Sequence, residues 1–166
     1  MKKTDWRNAE TNDNQRLVAG GYVCRIEDVQ DNPNKEYLYI EFDIAEGEFK
    51  NYYSQLASSF GFWGGRFYRS YKAKALGMFK SFILAVEGSN DGYKFNDDES
   101  TLVGKLIGLV LREEEYIGND GNLKTRLAVS GVKPVDAIRT GKFKVPELKK
   151  LPVEDTMEAV EEDCPF

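Results

Sequence analysis

Tyr37-Leu38-Tyr39-Ile40-Glu41-Phe42-Asp43-Ile44 alternates without a break. Leu38, Ile40, Phe42 and Ile44 fall on one face; Tyr37, Tyr39, Glu41 and Asp43 fall on the other. A period of two with one apolar face predicts a half-buried strand, Tyr37 to Ala45. Upstream, Gly20-Gly21 opens a strand from Tyr22 to Val29, and Asp31-Asn32-Pro33-Asn34 has the composition of a turn. Downstream, Glu46-Gly47-Glu48 is a tight turn into a third strand, roughly Phe49 to Tyr53. Phe60 to Phe67 is a glycine-rich aromatic loop that lacks the spacings of phosphate-cradling motifs.

Further along, Leu76, Phe79, Ile83 and Val86 recur at three and four, which predicts a helix from about Tyr71 to Val86 with one buried stripe. Leu102 to Tyr116 is a long fourth strand. Gly118-Asn119-Asp120-Gly121-Asn122 is a hairpin turn, and the fifth strand runs from Leu123 to Val132. It places Leu123, Thr125, Leu127 and Val129 on one face and Lys124, Arg126 and Ser130 on the other. Three strands, a helix and a hairpin make a mainly β protein. The order matches an OB-fold, a five-stranded Greek-key β-barrel with a helix between strands 3 and 4. A generic α+β sandwich reads similarly. The expected layout is a flexible N-terminal lead-in over 1–19, the OB-fold domain over 20–133, a basic linker over 134–153 and a disordered acidic C-terminal tail over 154–166.

Composition narrows the chemistry. The chain has 166 residues, which suits one domain with a short appendage. It has no histidine, so histidine catalysis and His-ligated metals are excluded. Cys24 and Cys164 lie far apart, which argues against a zinc site or a disulfide framework. No cofactor, no metal and no enzyme activity are expected. No apolar run approaches the ~20 residues of a membrane span. The polar start, Met1 to Trp6, lacks a signal-peptide core, so no membrane partner and a cytoplasmic location are expected.

Charge is segregated. Residues 1–150 hold all 23 bases and 22 of the 28 acids, whereas 151–166 hold six acids and no base. Such asymmetry points to nucleic acid or to an interaction tail. Phe49 to Val86 contains no acid, six bases and 11 of the 21 aromatic residues. Bases that hold phosphates, interleaved with rings that stack on nucleobases, are the ingredients of a single-strand binding groove. The competing reading makes those rings core and the lysines a solvated helix face.

The chain finishes Glu161-Glu162-Asp163-Cys164-Pro165-Phe166. This resembles the tip of bacterial single-stranded DNA-binding proteins, an acidic run followed by an apolar residue, Pro and Phe, with Glu for two Asp residues and Cys for Ile. The body resembles a family of small proteins of bacteriophages and prophages of Gram-positive bacteria, some regarded as single-strand-binding. The likeness lies in Asp5-Trp6, Ala19 to Ile26, Tyr37 to Ile44 and Phe60 to Trp63, and spans roughly residues 5–150.

The resemblance implies coating of unpaired DNA during phage replication, recombination or repair in the host cytoplasm. It also implies capture of replication or recombination proteins by Asp163, Cys164, Pro165 and Phe166, and self-association. Read from the residues, Tyr37, Tyr39, Tyr52, Tyr53, Trp63 and Tyr68 are candidates for base stacking. Arg25, Lys50, Arg66, Arg69, Lys72, Lys124 and Arg126 are candidates for phosphate contacts. The acidic tail is expected to compete for the groove when DNA is absent.

Two rivals differ in kind. One is a protein–protein interaction or scaffold module of phage replication that does not touch DNA. The other is a metal nuclease built on Asp97-Asp98-Glu99 or Glu113-Glu114-Glu115, although contiguous acids on a strand point in different directions.

Overall fold

Five antiparallel strands make one sheet in the order β3-β2-β1-β4-β5. The computed structural model describes residues 1–8 and 16–151. The elements run β1 (Gly20–Asn32), β2 (Tyr37–Ile44), α1 (Tyr52–Phe60), β3 (Arg66–Ser70), α2 (Leu76–Ser89), β4 (Leu106–Ile117), β5 (Leu123–Lys133) and α3 (Val135–Arg139). The helix expected between the third and fourth strands is α2. Among the described residues no ladder joins β3 to β5, so the sheet is open and these two strands are its edges. Yet α2 packs against β3, β4 and β5 alike, so the sheet curls until both edges reach one helix.

The inner face of β2 is as its alternation demands. Leu38, Ile40, Phe42 and Ile44 are buried with Cys24, Ile26, Phe67, Ile107, Leu109 and Leu111 from the other strands. From α2, Phe82, Ile83 and Val86 close this core. Leu76, expected on the same stripe, is exposed at the start of the helix. Burying such side chains contributes roughly 1.5–3 kcal/mol each. β4 and β5 run past the end of β1, whose pairing with β4 stops at Gly20–Leu111. The far hairpin therefore leaves Ile117 and Leu123 exposed.

The third strand lies elsewhere than expected. Phe49 to Asn51 is a turn, Tyr52 and Tyr53 begin α1, and the strand beside β2 is Arg66–Ser70, with Tyr39 opposite Tyr68 and Ile40 opposite Phe67. The cause is Asp43. Its position in the alternation puts it outside, but it is 1% exposed. Its carboxylate accepts from the backbone N–H of Tyr53 at 2.8 Å and of Ser54 at 3.1 Å, and from its own neighbour Ile44 at 2.8 Å. Free N–H groups of a first helical turn favour an anion, so Asp43 holds the start of α1 in place. Asn51, at φ 65, turns the chain into it.

Residues 134–151, expected to be a linker, are built onto the sheet. Val135 of α3 is buried. A Cβ on Gly21 would lie 2.5 Å from the Phe143 ring, and one on Gly108 would lie 2.6 Å from Ile138. The outer side of β1 and β4 is thus covered because glycines leave room for these side chains. Lys149 exchanges backbone hydrogen bonds of 2.9 Å with Glu113 and Glu115, beside β4 where β1 has ended. The acidic tail over 154–166 lies outside the described residues.

Candidate functional site

Because β2 alternates, its residues off the core side, Asp43 apart, face out. Tyr37 and Tyr39 project from β2, and the β2–β3 register brings Tyr68 beside them. The Tyr68 ring centroid is 5.3 Å from that of Tyr37 and 5.4 Å from that of Tyr39, in edge-on and tilted arrangements that aromatic rings prefer. All three are half-buried. They line a depression of about 590 Å³ whose other wall is the end of β1 and its turn, including Gln30, Asp31 and Asn32. Asn32 donates to the Tyr37 hydroxyl at 3.2 Å. Burial pushes the Tyr39 hydroxyl above its ordinary pKa, and a hydrogen bond with Arg66 partly offsets this. Arg66 sits opposite Glu41 at the start of β3. Partly exposed rings lining a depression, with a guanidinium beside them, can stack on flat groups and hold an anion.

The face is not uniformly basic. Asp31 accepts a 2.7 Å hydrogen bond from the Tyr71 hydroxyl, and Asp28 accepts from Gln30 at 3.0 Å. Asp28 and Asp31 lie on β1, and Glu41 on β2 stands between Asp28 and Arg66 in the register. Arg66 brings positive charge to the β3 edge of this face, directly across from Glu41.

The structure separates the other sequence candidates. Tyr53 is 8% exposed and packs edge-on to Phe42, so it belongs to the core, where burial drives its hydroxyl pKa up. Trp63 is half-buried, and its Nε1–H donates to the Phe42 carbonyl at 3.0 Å. It anchors the glycine-rich loop. Arg69 points to the core side of β3 with its guanidinium 5.1 Å from the Phe67 ring centroid, and it donates to the Tyr68 carbonyl at 3.0 Å. Burial lowers its pKa. Arg25 is paired with Glu27 at 2.8 Å.

Lys124 and Arg126 lie on β5, at the opposite edge from β3. Lys124 meets Asp120 at 3.3 Å, and Arg126 lies over Tyr116. Lys72 sits between β3 and α2. Lys50 and Tyr52 border a second groove of about 710 Å³ along α1. Asp163, Cys164, Pro165 and Phe166 fall outside the described residues.

Two side chains that the sequence reading passed over stand out there. Phe60 and Phe62 are 67% and 66% exposed. The signal for their placement was present: Tyr53, Leu56, Ala57 and Phe60 recur at helical spacing, and Gly61 follows at the position where helices end. Of the acidic clusters, Asp98 accepts from Ser100 at its own short helical turn, and Glu113 and Glu115 are tied through their backbones to Lys149. Among the described residues no group of three His, Cys, Asp or Glu is placed to hold a metal ion, and no helix is long and apolar enough to cross a membrane. Comparison of the chain with protein-family models finds no match, and comparison with curated proteins finds none either.

Proposed function

We propose that the protein binds single-stranded DNA without catalysis, on the outer face of β2 and β3. The observation that carries this reading is the trio Tyr37, Tyr39 and Tyr68, clustered across two strands with Arg66 alongside. A tyrosine offers a base a rigid stacking surface worth about 1–3 kcal/mol. In duplex DNA those base faces are already occupied. The curled five-stranded sheet, with α2 reaching both edges, supports reading the fold as a partly open OB barrel, an architecture used for oligonucleotides. The sequence adds the acid-free segment Phe49 to Val86 and the acidic tip, which recruits replication or recombination proteins in this scheme.

The carboxylates of Asp28, Asp31 and Glu41 on the same face favour a second reading, a module that binds protein there. Titrating labelled single-stranded and duplex oligonucleotides separates the two. The first reading expects single-strand preference, with affinity falling by a slope of about −0.7 per phosphate contact in a log–log salt plot. Equal affinity for duplex, or binding to neither, would sink it.

A further inference from the structure

The groove along α1 has no part in the tyrosine face. Its outer wall carries Phe60 and Phe62, each about two-thirds exposed. These rings are held out by construction. Gly61, at φ 79, ends α1 with its N–H donating to Ala57 at 2.8 Å, and turns the chain between the two phenylalanines. The loop is then pinned at the far side. Trp63 donates to the Phe42 carbonyl, the Phe42 N–H donates to Gly65 at 3.0 Å, and a Cβ on Gly65 would lie 2.5 Å from the Phe42 carbonyl oxygen. With the loop anchored at Trp63 and Gly65, Phe60 and Phe62 remain outside, where exposed apolar area marks a contact surface. Among the described residues, Lys50 and Arg16 line the same groove against the single acid Glu48.

We infer that this groove is a second stacking site for the same single strand, which runs from the tyrosine face past Arg66 and over Phe62 and Phe60. The inference rests on the single-strand reading proposed above. Flat ring faces with a net positive border match a ligand that presents unpaired bases and phosphates. Continuity is built into the chain. Phe62 precedes Arg66 by four residues, at most roughly 14 Å of extended backbone. A strand engaging both faces stays within the ~4–16 nucleotides that one such domain covers.

The test uses the full-length chain and a labelled single-stranded oligonucleotide of about 20 nucleotides, longer than one site. Phe60→Ala and Phe62→Ala should each weaken binding about 5-fold or more, with the melting temperature unchanged because neither ring is in the core. Lys50→Glu should weaken binding and lower the salt slope. A short oligonucleotide of about four nucleotides should lose affinity on Tyr68→Ala and not on Phe60→Ala. If the phenylalanine variants bind the long strand as wild type does while Tyr68→Ala does not, the groove is off the strand's path, and the inference falls while the single-strand reading stands. If the unaltered protein binds no single strand, both fall.

Discussion

The carboxylate of Asp43 accepts a 2.8 Å hydrogen bond from the backbone N–H of Tyr53, ten residues further along the chain. One residue thereby closes β2 and starts α1, and it sets where the aromatic segment leaves the sheet. Asp43 is buried and holds three N–H groups, so removing its charge leaves donors without a strong acceptor. Asp43→Asn should cost about 2 kcal/mol, a fall of roughly 4–8 °C in melting temperature for a domain of this size. Thermal unfolding followed by circular dichroism measures this. An unchanged midpoint would remove Asp43 from its role as the anchor of α1.

Tyrosines close in sequence should behave oppositely. Tyr68→Ala should cost about 1–3 kcal/mol of single-strand affinity with little change in stability. Tyr53→Ala should cost roughly 3–5 kcal/mol of stability, as other large aromatic deletions from cores do. Paired melting and binding curves for the two variants check this. A stable Tyr53→Ala protein, or a Tyr68→Ala protein that fails to fold, would mean that the two rings have the wrong assignments.

Tyr71 donates its hydroxyl proton to Asp31, and this pushes its pKa up to about 12, with burial a smaller contribution. The folded state keeps this proton where the unfolded chain, near 10, has begun to lose it. The stabilisation is therefore complete below about pH 10 and is lost as pH rises from about 10 through 12. In a spectrophotometric titration Tyr71 should ionise late together with buried tyrosines such as Tyr53, and Tyr71→Phe should remove one tyrosine's share of that late change. Persistence of the full late absorbance change in Tyr71→Phe would assign it to other tyrosines.

Deletion of residues 154–166 should leave the melting temperature nearly unchanged, because six acids and few large apolar groups contribute little to a core. At low salt the deletion should modestly tighten single-strand binding, and the difference should fade as salt screens the lost charges. Capture of replication proteins should disappear, with deletion of Phe166 alone nearly matching it. A large drop in melting temperature, or undiminished capture, would count against the tail as a partner hook.

The alternation from Tyr37 to Ile44 determined a strand and its two faces by itself, since a period of two is a property of local backbone geometry. It placed Leu38, Ile40, Phe42 and Ile44 inside, and Tyr37 and Tyr39 outside. The hairpin at Gly118 to Asn122 was legible for the same reason, because its turn chemistry is contained in five residues. The helix between the third and fourth strands announced itself through its apolar repeat.

Other features depended on partners distant in the chain. Phe49 to Tyr53 has the composition of a strand, but the first turn of α1 is set by a carboxylate on β2. That interaction also drew Asp43 off the outer face where the alternation put it. Composition could not divide the aromatics between core and surface. Tyr53 and Tyr68 are chemically identical, and only packing against Phe42 buries one, while pairing across β2 displays the other. Residues 134–151 read as a linker because their prolines and lysines conceal a few apolar anchors. Phe143 and Ile138 find their places only where Gly21 and Gly108 leave room on strands far upstream. Whether the sheet closed was likewise a tertiary matter, since it depends on how far β3 and β5 curl around α2 and not on any residue pattern within either strand.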